Sequence, residues 1–127
     1  MSKPTVAILG ASTNRSKFGN KSVRAHVQAG YDVYPVNPTS ADVEGLNAYA
    51  TLSDVPVDHL DRVSVYLPPQ VGLKALDEIK QKGAQEVWFN PGAESPEIAA
   101  RGAELGLPIH MACSIVDLGL SPSQFPD

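Results

Sequence analysis

A turn of small residues followed by basic side chains is the part of this sequence with the clearest chemical potential. The turn is Gly10-Ala11-Ser12, and it follows a short apolar run. The basic side chains after it are Arg15, Lys17, Lys21 and Arg24. Where such a turn leads from a strand into a helix, the first amides of the helix and the positive end of its dipole bind anions. On a chain with a formal net charge of −4, this local cluster predicts a ligand with several phosphate charges.

The four basic residues are not equally strong candidates. Arg15 and Lys17 lie beside the turn, and we expect them to contact the anion. Lys21 and Arg24 fall within a predicted helix, where a solvated helix face explains them equally well.

The turn differs from the best-known nucleotide-binding motifs. The dinucleotide fingerprint G-x-G-x-x-G requires glycine at positions 12 and 15, which are Ser12 and Arg15 here. The second apolar run ends in Asn37, where NAD enzymes carry an acid for the ribose. No Gly-Lys-Ser/Thr follows the turn, so the sequence has no Walker motif. A minimal NAD(P)-binding oxidoreductase module is therefore the alternative hypothesis rather than the leading one.

Other catalytic or metal-binding arrangements are missing from the sequence. His26, His59 and His110 are far apart and have no second ligand at the spacing of a metal site. No G-x-S-x-G elbow is present, so Ser12 is interpreted as a phosphate contact rather than a nucleophile. We therefore expect no catalytic residues and no metal site, and we predict that the chain is not an enzyme.

Alternating strand and helix patterns position these residues. The strand-like runs cover 5–9, 32–36, 63–67, 86–89 and 108–112. The helix-like stretches are 18–29, 71–82 and a third that begins at Ser95-Pro96-Glu97 and stops at Gly106. Alternation of this kind predicts an α/β fold, a Rossmann-like doubly wound sheet of about five parallel strands with helices on both faces.

Three local features refine this prediction. Pro35 cannot donate to a strand ladder, so the second strand is expected to fray or to lie near an edge. Residues 46–49 are a candidate short extra strand. The end of the chain after Leu118, with two prolines, is predicted to be loosely held.

In such a sheet, ligands bind beyond the carboxyl ends of the strands, near the point where the strand order reverses. Small, polar or turn-forming residues follow all five predicted strands. They are Gly10-Ala11-Ser12, Asn37-Pro38, Pro68-Pro69, Asn90-Pro91-Gly92 and Cys113-Ser114. The candidate site is therefore one sheet edge.

Composition limits the kind of partner. The chain of 127 residues, 43% of them apolar, is predicted to form one globular domain over residues 1–127. Its acidic balance argues against a nucleic-acid binder with a basic face. Cys113 is the only cysteine, which favours a reducing compartment. With no apolar run long enough for a bilayer and no signal-peptide pattern, we expect a cytoplasmic protein without a membrane partner.

Taken together, these segments resemble a known family. The chain is similar to the small stand-alone CoA-binding proteins of bacteria, whose fold resembles the CoA-binding domain of the succinyl-CoA synthetase α subunit. The likeness runs roughly from Thr5 to Val116 and rests on the order and spacing of its pieces. These pieces are Val6–Ser12, Gly30–Pro38, Gly45, Tyr49, Leu52–Val55, Pro68-Pro69, Val87-Trp88 and Cys113.

The resemblance implies a role for each loop of the predicted edge. The residues that would receive the CoA phosphates are Gly10, Ala11, Ser12, Arg15 and Lys17. The residues that would line the nucleotide are Val36, Asn37 and Pro38. Those that would pass near the adenine and ribose are Leu67, Pro68 and Pro69. Those that would border the pantetheine path are Asn90 and Gly92. The family often has Arg before the two prolines and Asp-Arg before the cysteine, where this chain has Leu67 and Met111-Ala112.

The implied function is non-catalytic binding of coenzyme A or acyl-CoA through the Gly-Ala-Ser loop. Cys113 is either an inert, half-buried cysteine or a thiol that meets the thiol of the ligand and forms a mixed disulfide. The sequence is compatible with a homodimer or an unidentified protein partner.

Overall fold

The computed structural model describes residues 3–127; Met1 and Ser2, where the predicted domain begins, lie outside the described residues. Its strands are β1 (Thr5–Leu9), β2 (Asp32–Val36), β3 (Asp42–Val43), β4 (Leu46–Asn47), β5 (Leu60–Val65), β6 (Ala84–Phe89) and β7 (Ile109–His110). Its helices are α1 (Phe18–Gln28), α2 (Pro69–Lys82), α3 (Pro96–Glu104) and α4 (Ser114–Asp117). Single 3₁₀ turns cover Leu52–Asp54 and Pro122–Gln124.

Five of the strands form one parallel sheet in the order β2-β1-β5-β6-β7. The chain moves from β1 to one side of the sheet, and then from β5 onward to the other side. The order therefore reverses between β1 and β5, as in doubly wound folds. The predicted α/β, Rossmann-like fold is confirmed.

The central position of β1 requires apolar residues on both of its faces. Val6 and Ile8 pack on one face with Val23 of α1, and Ala7 and Leu9 pack on the other. Successive side chains of a strand point to opposite faces, so a continuous apolar run fits a strand covered on both sides. Helices α1 and α4 contact each other on the first face, and α2 contacts α3 on the second.

The second strand lies at an edge of the sheet, as Pro35 indicated. The carbonyl of Pro35 faces outward and accepts from the Tyr49 amide at 2.9 Å. Its nitrogen faces the same way, so the proline removes no hydrogen bond to β1. Strands β3 and β4 form a hairpin with a two-residue turn, Glu44-Gly45. The angle φ is positive at both turn residues.

Three strand predictions need correction at their ends. β6 begins at Ala84, two residues before the predicted start. β5 covers 60–65 rather than 63–67, because the chain turns after Tyr66 into Pro68-Pro69 and the start of α2. β7 is two residues long rather than five, since it pairs with β6 only at Ile109 and His110. No helix among residues 3–127 is long and apolar enough to cross a membrane.

The prediction of a loose end after Leu118 is wrong. Phe125 is 6% exposed and packs with Ala25 of α1 and Ile115 of α4. Ser121 and Gln124 form a reciprocal capping box around the last 3₁₀ turn. An aromatic side chain close to the end therefore anchors a segment whose prolines suggested disorder.

A buried polar network lies between the sheet and helices α1 and α4. Arg62 of β5 is 4% exposed and pairs with Glu86 and Asp117. Its guanidinium also lies 4.9 Å from the Trp88 ring centroid and 3.5 Å from Nε2 of His26. A guanidinium can only donate hydrogen bonds. Nε2 therefore accepts, and the His26 proton resides on Nδ1, which donates to the Ser22 carbonyl at 2.8 Å.

His26 makes the stability of the fold dependent on pH. Burial, reinforced by the nearby Arg62 charge, lowers the pKa of His26 from 6.5 to about 4. The unfolded chain then binds more protons than the folded chain between these two values, so the stabilisation is complete above pH 6.5 and is lost as the pH falls toward 4. The difference corresponds to about 3 kcal/mol in the free energy of unfolding. Urea unfolding at pH 7.5 and 4.5 measures it, and a His26→Gln variant should show a correspondingly smaller loss. Equal losses in both proteins would contradict this assignment.

Candidate functional site

A cleft of about 750 Å³ opens at the carboxyl edge of the sheet, beside the reversal between β1 and β5. The loops after β1, β2, β5 and β6 form its walls. Its lining residues are Gly10, Ala11, Ser12, Lys17, Phe18, Gly19, Asn37, Pro38, Thr39, Tyr66, Leu67, Pro68, Pro69, Pro91, Gly92 and Ala93. The structure thus brings together most of the residues that the sequence analysis assigned to one edge.

The floor of the cleft depends on two glycines that allow the backbone segments to approach closely. Gly10 has φ +87°, and a Cβ atom there would lie 3.0 Å from the backbone carbonyl of Tyr66. A Cβ atom at Gly19 would overlap the carbonyl oxygen of Gly10, far inside van der Waals contact. The first turn of α1 therefore lies directly on the end of β1.

Backbone amides at this turn have no protein partner. The N–H groups of Ala11, Ser12, Phe18 and Gly19 donate to no oxygen among residues 3–127. All four residues line the cleft. Helix N-termini leave their first amides unsatisfied, and amides clustered in this way bind anions.

Side-chain hydrogen bonds hold the loop between these amides. Ser12 Oγ accepts from the Asn14 amide at 3.0 Å. Asn14 Oδ1 accepts from the Ser16 amide at 3.0 Å and from its hydroxyl at 2.7 Å. The loop from Gly10 to Lys17, which we call the anion loop, is therefore built from two consecutive side-chain-capped turns.

The four basic residues have different environments. Lys17 lines the cleft, and its ammonium makes no ion pair or hydrogen bond within residues 3–127. Arg15 lies outside the cleft lining and pairs with Glu44 at 3.4 Å. Lys21 and Arg24 donate to backbone carbonyls of the C-terminal segment. Of the four basic residues, only Lys17 therefore presents its charge to the cleft. Lys21 and Arg24 do not line the cleft, and they do not belong to a solvated helix face.

Asn37 joins the loops after β1 and β2. Its Nδ2 donates to the Ala11 carbonyl at 2.8 Å, and its Oδ1 accepts from the amides of Thr39 and Ser40. Both ends of the side chain are thus used in shaping the cleft. Beside it, a smaller cavity of about 330 Å³ contains Val36 in its lining and shares Pro38 and Leu67 with the main cleft.

The wall after β5 carries Tyr66, Leu67, Pro68 and Pro69. Pro69 is the first residue of α2, where a missing N–H costs nothing. The Tyr66 hydroxyl lies 3.2 Å from Ser114 Oγ. Burial raises the pKa of Tyr66 above its usual value near 10, which keeps this hydroxyl neutral.

Three residues proposed for the edge, Asn90, Cys113 and Ser114, lie outside the lining of both cavities. Asn90 is 1% exposed; its Nδ2 donates to Ser64 Oγ at 2.9 Å, and its Oδ1 accepts from the Ser114 amide at 2.8 Å. Cys113 is half-buried and packs beside Ile115 just before α4. Gly92, in contrast, lines the cleft with φ +95°.

Several lining residues were not anticipated from the sequence. They are Phe18, Gly19, Thr39, Tyr66 and Ala93. Gly19 carried a usable signal, because glycine in the first turn of a helix after such a loop is typical of close helix–strand packing. Phe18 carried none, since an exposed aromatic side chain, here 57% exposed, is not recognisable from its sequence position.

Within residues 3–127, no group of three His, Cys, Asp or Glu side chains converges to hold a metal ion. The ionisable side chains in the lining of the main cleft are Lys17 and Tyr66. The site thus combines unpaired amides, one cationic side chain, hydroxyls and apolar walls.

The parallel sheet and the cleft at its reversal point define a Rossmann-like α/β domain. The model of the CoA binding domain family matches residues 4–119, and the chain belongs to this family. The family resemblance seen in the sequence is therefore confirmed.

Solved structures agree with this assignment. A conserved hypothetical protein from Pyrococcus furiosus is 33% identical, with a TM-score of 0.80 over 91% of this chain and 99% of that one. A Thermus thermophilus protein is 30% identical, with a TM-score of 0.81 over 91% of this chain and 87% of that one.

Curated relatives are much longer proteins. The α subunit of acetate–CoA ligase (ADP-forming) I from Pyrococcus furiosus is 28% identical over 108 residues, which are 80% of this chain and 21% of the relative. An acetate–CoA ligase (ADP-forming) from Methanocaldococcus jannaschii is 31% identical over 81 residues, which are 64% of this chain and 11% of the relative. The chain spans between 11% and 21% of these two relatives.

The contact between Gly19 and Gly10 leads to a test of how rigid the floor of the cleft is. Gly19→Ala should lower the free energy of unfolding by about 1–3 kcal/mol, because the new methyl group meets backbone that cannot move aside. Gly102→Ala in α3 is the matched control, because its methyl group would meet only side-chain atoms, Cδ1 and Cγ1 of Ile109. Chemical denaturation measures both variants. A larger loss for Gly102→Ala than for Gly19→Ala would contradict the close-approach argument.

Proposed function

We propose that the chain binds coenzyme A or an acyl-CoA in the main cleft, with the phosphates at the anion loop. The observation that carries this proposal is the set of unpaired amides at Ala11, Ser12, Phe18 and Gly19 beside the uncompensated charge of Lys17. Amides at a helix N-terminus together with one cation suit a phosphate group. Membership of the CoA binding domain family supports CoA as the bearer of the phosphates.

The size and lining of the site fit a ligand of this class. Ligand pockets usually measure about 300–1,000 Å³, and the cleft measures about 750 Å³. Pro38 and Leu67 form a wall common to the cleft and the smaller cavity. Val36, Asn37 and Pro38 would line the nucleotide, and Leu67, Pro68 and Pro69 would lie near the adenine and ribose.

The pantetheine arm would run past Gly92. Asn90 would act through its hydrogen bonds to Ser64 and Ser114, which hold the base of this wall, rather than by touching the ligand. Cys113 would reach a ligand thiol only if the arm passed beyond the lining described above. The mixed disulfide therefore stays a prediction.

The proposed role is binding without chemistry by this chain. The lining of the main cleft carries no carboxylate and no histidine, the usual proton-transfer groups. Its ionisable groups, Lys17 and Tyr66, would act as a phosphate contact and a neutral hydroxyl. A carrier, sensor or subunit that presents CoA to a partner, in the cytoplasm, fits this arrangement.

The NAD(P) alternative is less well supported. In dinucleotide enzymes an acid at the end of the second strand binds the ribose hydroxyls. The corresponding Asn37 uses its Nδ2 and Oδ1 for the Ala11 carbonyl and for the amides of Thr39 and Ser40. Its side chain is therefore engaged within the protein and is poorly available to a ribose.

Calorimetric titration with CoA, dephospho-CoA and NADP tests the proposal. We expect saturable CoA binding that weakens when the 3′-phosphate is removed. Lys17→Ala should weaken CoA binding about tenfold, the effect of losing one charge-assisted hydrogen bond. Arg15→Ala should change the affinity less, because Glu44 already neutralises this guanidinium. Arg101→Ala, on α3 and outside the main cleft, is the charge-matched control.

Two outcomes would reject the proposed function. One is the absence of heat and of a thermal shift with CoA in the folded protein. The other is tighter binding of NADP than of CoA, which would favour the oxidoreductase-module alternative.

A further inference from the structure

Residues 120–127, which we call the tail segment, lie beyond the part of the chain that matches the family, residues 4–119. No residue of this segment lines the cleft. Phe125 nevertheless anchors it against α1, and the carbonyls of Phe125 and Pro126 point toward two basic side chains of that helix. The segment is thus a docked element outside both the family core and the site.

Arg24 connects the tail segment to the anion loop. Its Nη1 donates to the Pro126 carbonyl at 2.7 Å, and its Nη2 donates to the Phe125 carbonyl at 3.1 Å. The same Nη2 donates to the Arg15 carbonyl of the anion loop at 2.9 Å. One guanidinium therefore bridges two segments that are about a hundred residues apart in sequence.

Asn20 extends this connection further into the loop. Arg24 Nε donates to Asn20 Oδ1 at 2.7 Å, and Asn20 Nδ2 donates to the Ser12 carbonyl at 2.8 Å and to Glu44 at 3.0 Å. Asn20 is fully buried, so its orientation depends on these partners. Arg24 thus holds the Arg15 carbonyl directly and the Ser12 carbonyl through Asn20.

We propose that the tail segment positions the anion loop through Arg24, so that the affinity of the cleft depends on residues that never touch the ligand. Docking of the tail supplies two carbonyls that fix the Arg24 guanidinium. The fixed guanidinium then holds the loop carbonyls, and with them the adjacent amides, in a binding-ready geometry. Arg24 is accordingly a positioning residue. The part of this inference that concerns affinity rests on the proposed CoA binding; the part that concerns loop order does not.

The size of the effect follows from preorganisation. Each long side chain that becomes immobilised on binding makes the binding free energy less favourable by about 0.5–1.5 kcal/mol. Loss of the Arg24 bridge should therefore weaken ligand binding by about 2- to 13-fold. Thermodynamic linkage requires that the ligand stabilise the docked tail by the same factor.

The experiment compares variants of the 127-residue chain by NMR relaxation without ligand and by titration with CoA. In Arg24→Ala and Phe125→Ala, backbone order parameters of residues 11–17 should fall from about 0.85 toward 0.6, and CoA binding should weaken by about 2- to 13-fold. Arg24→Lys should behave like Arg24→Ala, because a single ammonium keeps the charge but cannot bridge both segments.

Lys21→Ala is the matched control. The Lys21 ammonium donates to the same Phe125 carbonyl at 2.7 Å but makes no hydrogen bond to the anion loop. Its backbone amide, which alanine keeps, donates to the Lys17 carbonyl. Lys21→Ala removes one positive charge, as Arg24→Ala does. It should leave loop order unchanged and change the affinity by less than about twofold. Order parameters of β6, a strand of the parallel sheet, report whether each variant remains folded.

The outcomes separate the two proposals. Unchanged loop order in Arg24→Ala and Phe125→Ala, with the tail released, would overturn the positioning role and make the tail a cover for α1 and α4 only. Equal affinity losses in Lys21→Ala and Arg24→Ala would also overturn it, because net charge would then explain both. If the wild-type protein binds no CoA, the proposed function fails, and the loop-order measurement still decides the role of the tail.

Discussion

The close contact between the first turn of α1 and the end of β1 is the constraint on which the rest of the cleft depends. Gly19 has no side chain at the point where the helix meets the carbonyl of Gly10, and Gly10 adopts a conformation that favours glycine against the backbone of Tyr66. Because these segments touch, the amides after β1 gather at one point beside the loop that follows β5. A methyl group at either glycine would separate them.

Polar side chains from neighbouring elements then stabilise the loops around this contact. Asn37 ties the loop after β2 to Ala11, and Asn20 ties α1 to Ser12. Each of these bonds satisfies a loop carbonyl with a side-chain donor, which lets irregular backbone lie against the sheet edge without an unpaired acceptor. The cleft is therefore open to solvent while its walls are held by protein contacts.

Arg62 organises the other end of the sheet face that α1 and α4 cover. Its buried charge is balanced by Glu86 and Asp117, and it adds to the burial that keeps His26 of α1 neutral. Through Asp117 it also fixes α4, whose neighbour Phe125 carries the tail segment. The buried network and the docked tail thus support α1 along its length, and α1 supports the anion loop.

The sequence by itself determined the parallel sheet, the edge at which the cleft lies and the small-residue turn after β1, because strand burial and loop chemistry depend on local patterns. The alternation of strand and helix patterns was sufficient to predict the sheet, and the residues after each predicted strand were sufficient to predict the edge. The partners of Arg24, the docking of Phe125 and the inward orientation of Asn90 were decided only by the tertiary structure. The contacts of Arg24 with the tail segment, of Phe125 with α1 and of Asn90 with Ser114 each join residues more than twenty positions apart. No local pattern distinguishes a basic helix residue that meets solvent from one that meets a distant carbonyl.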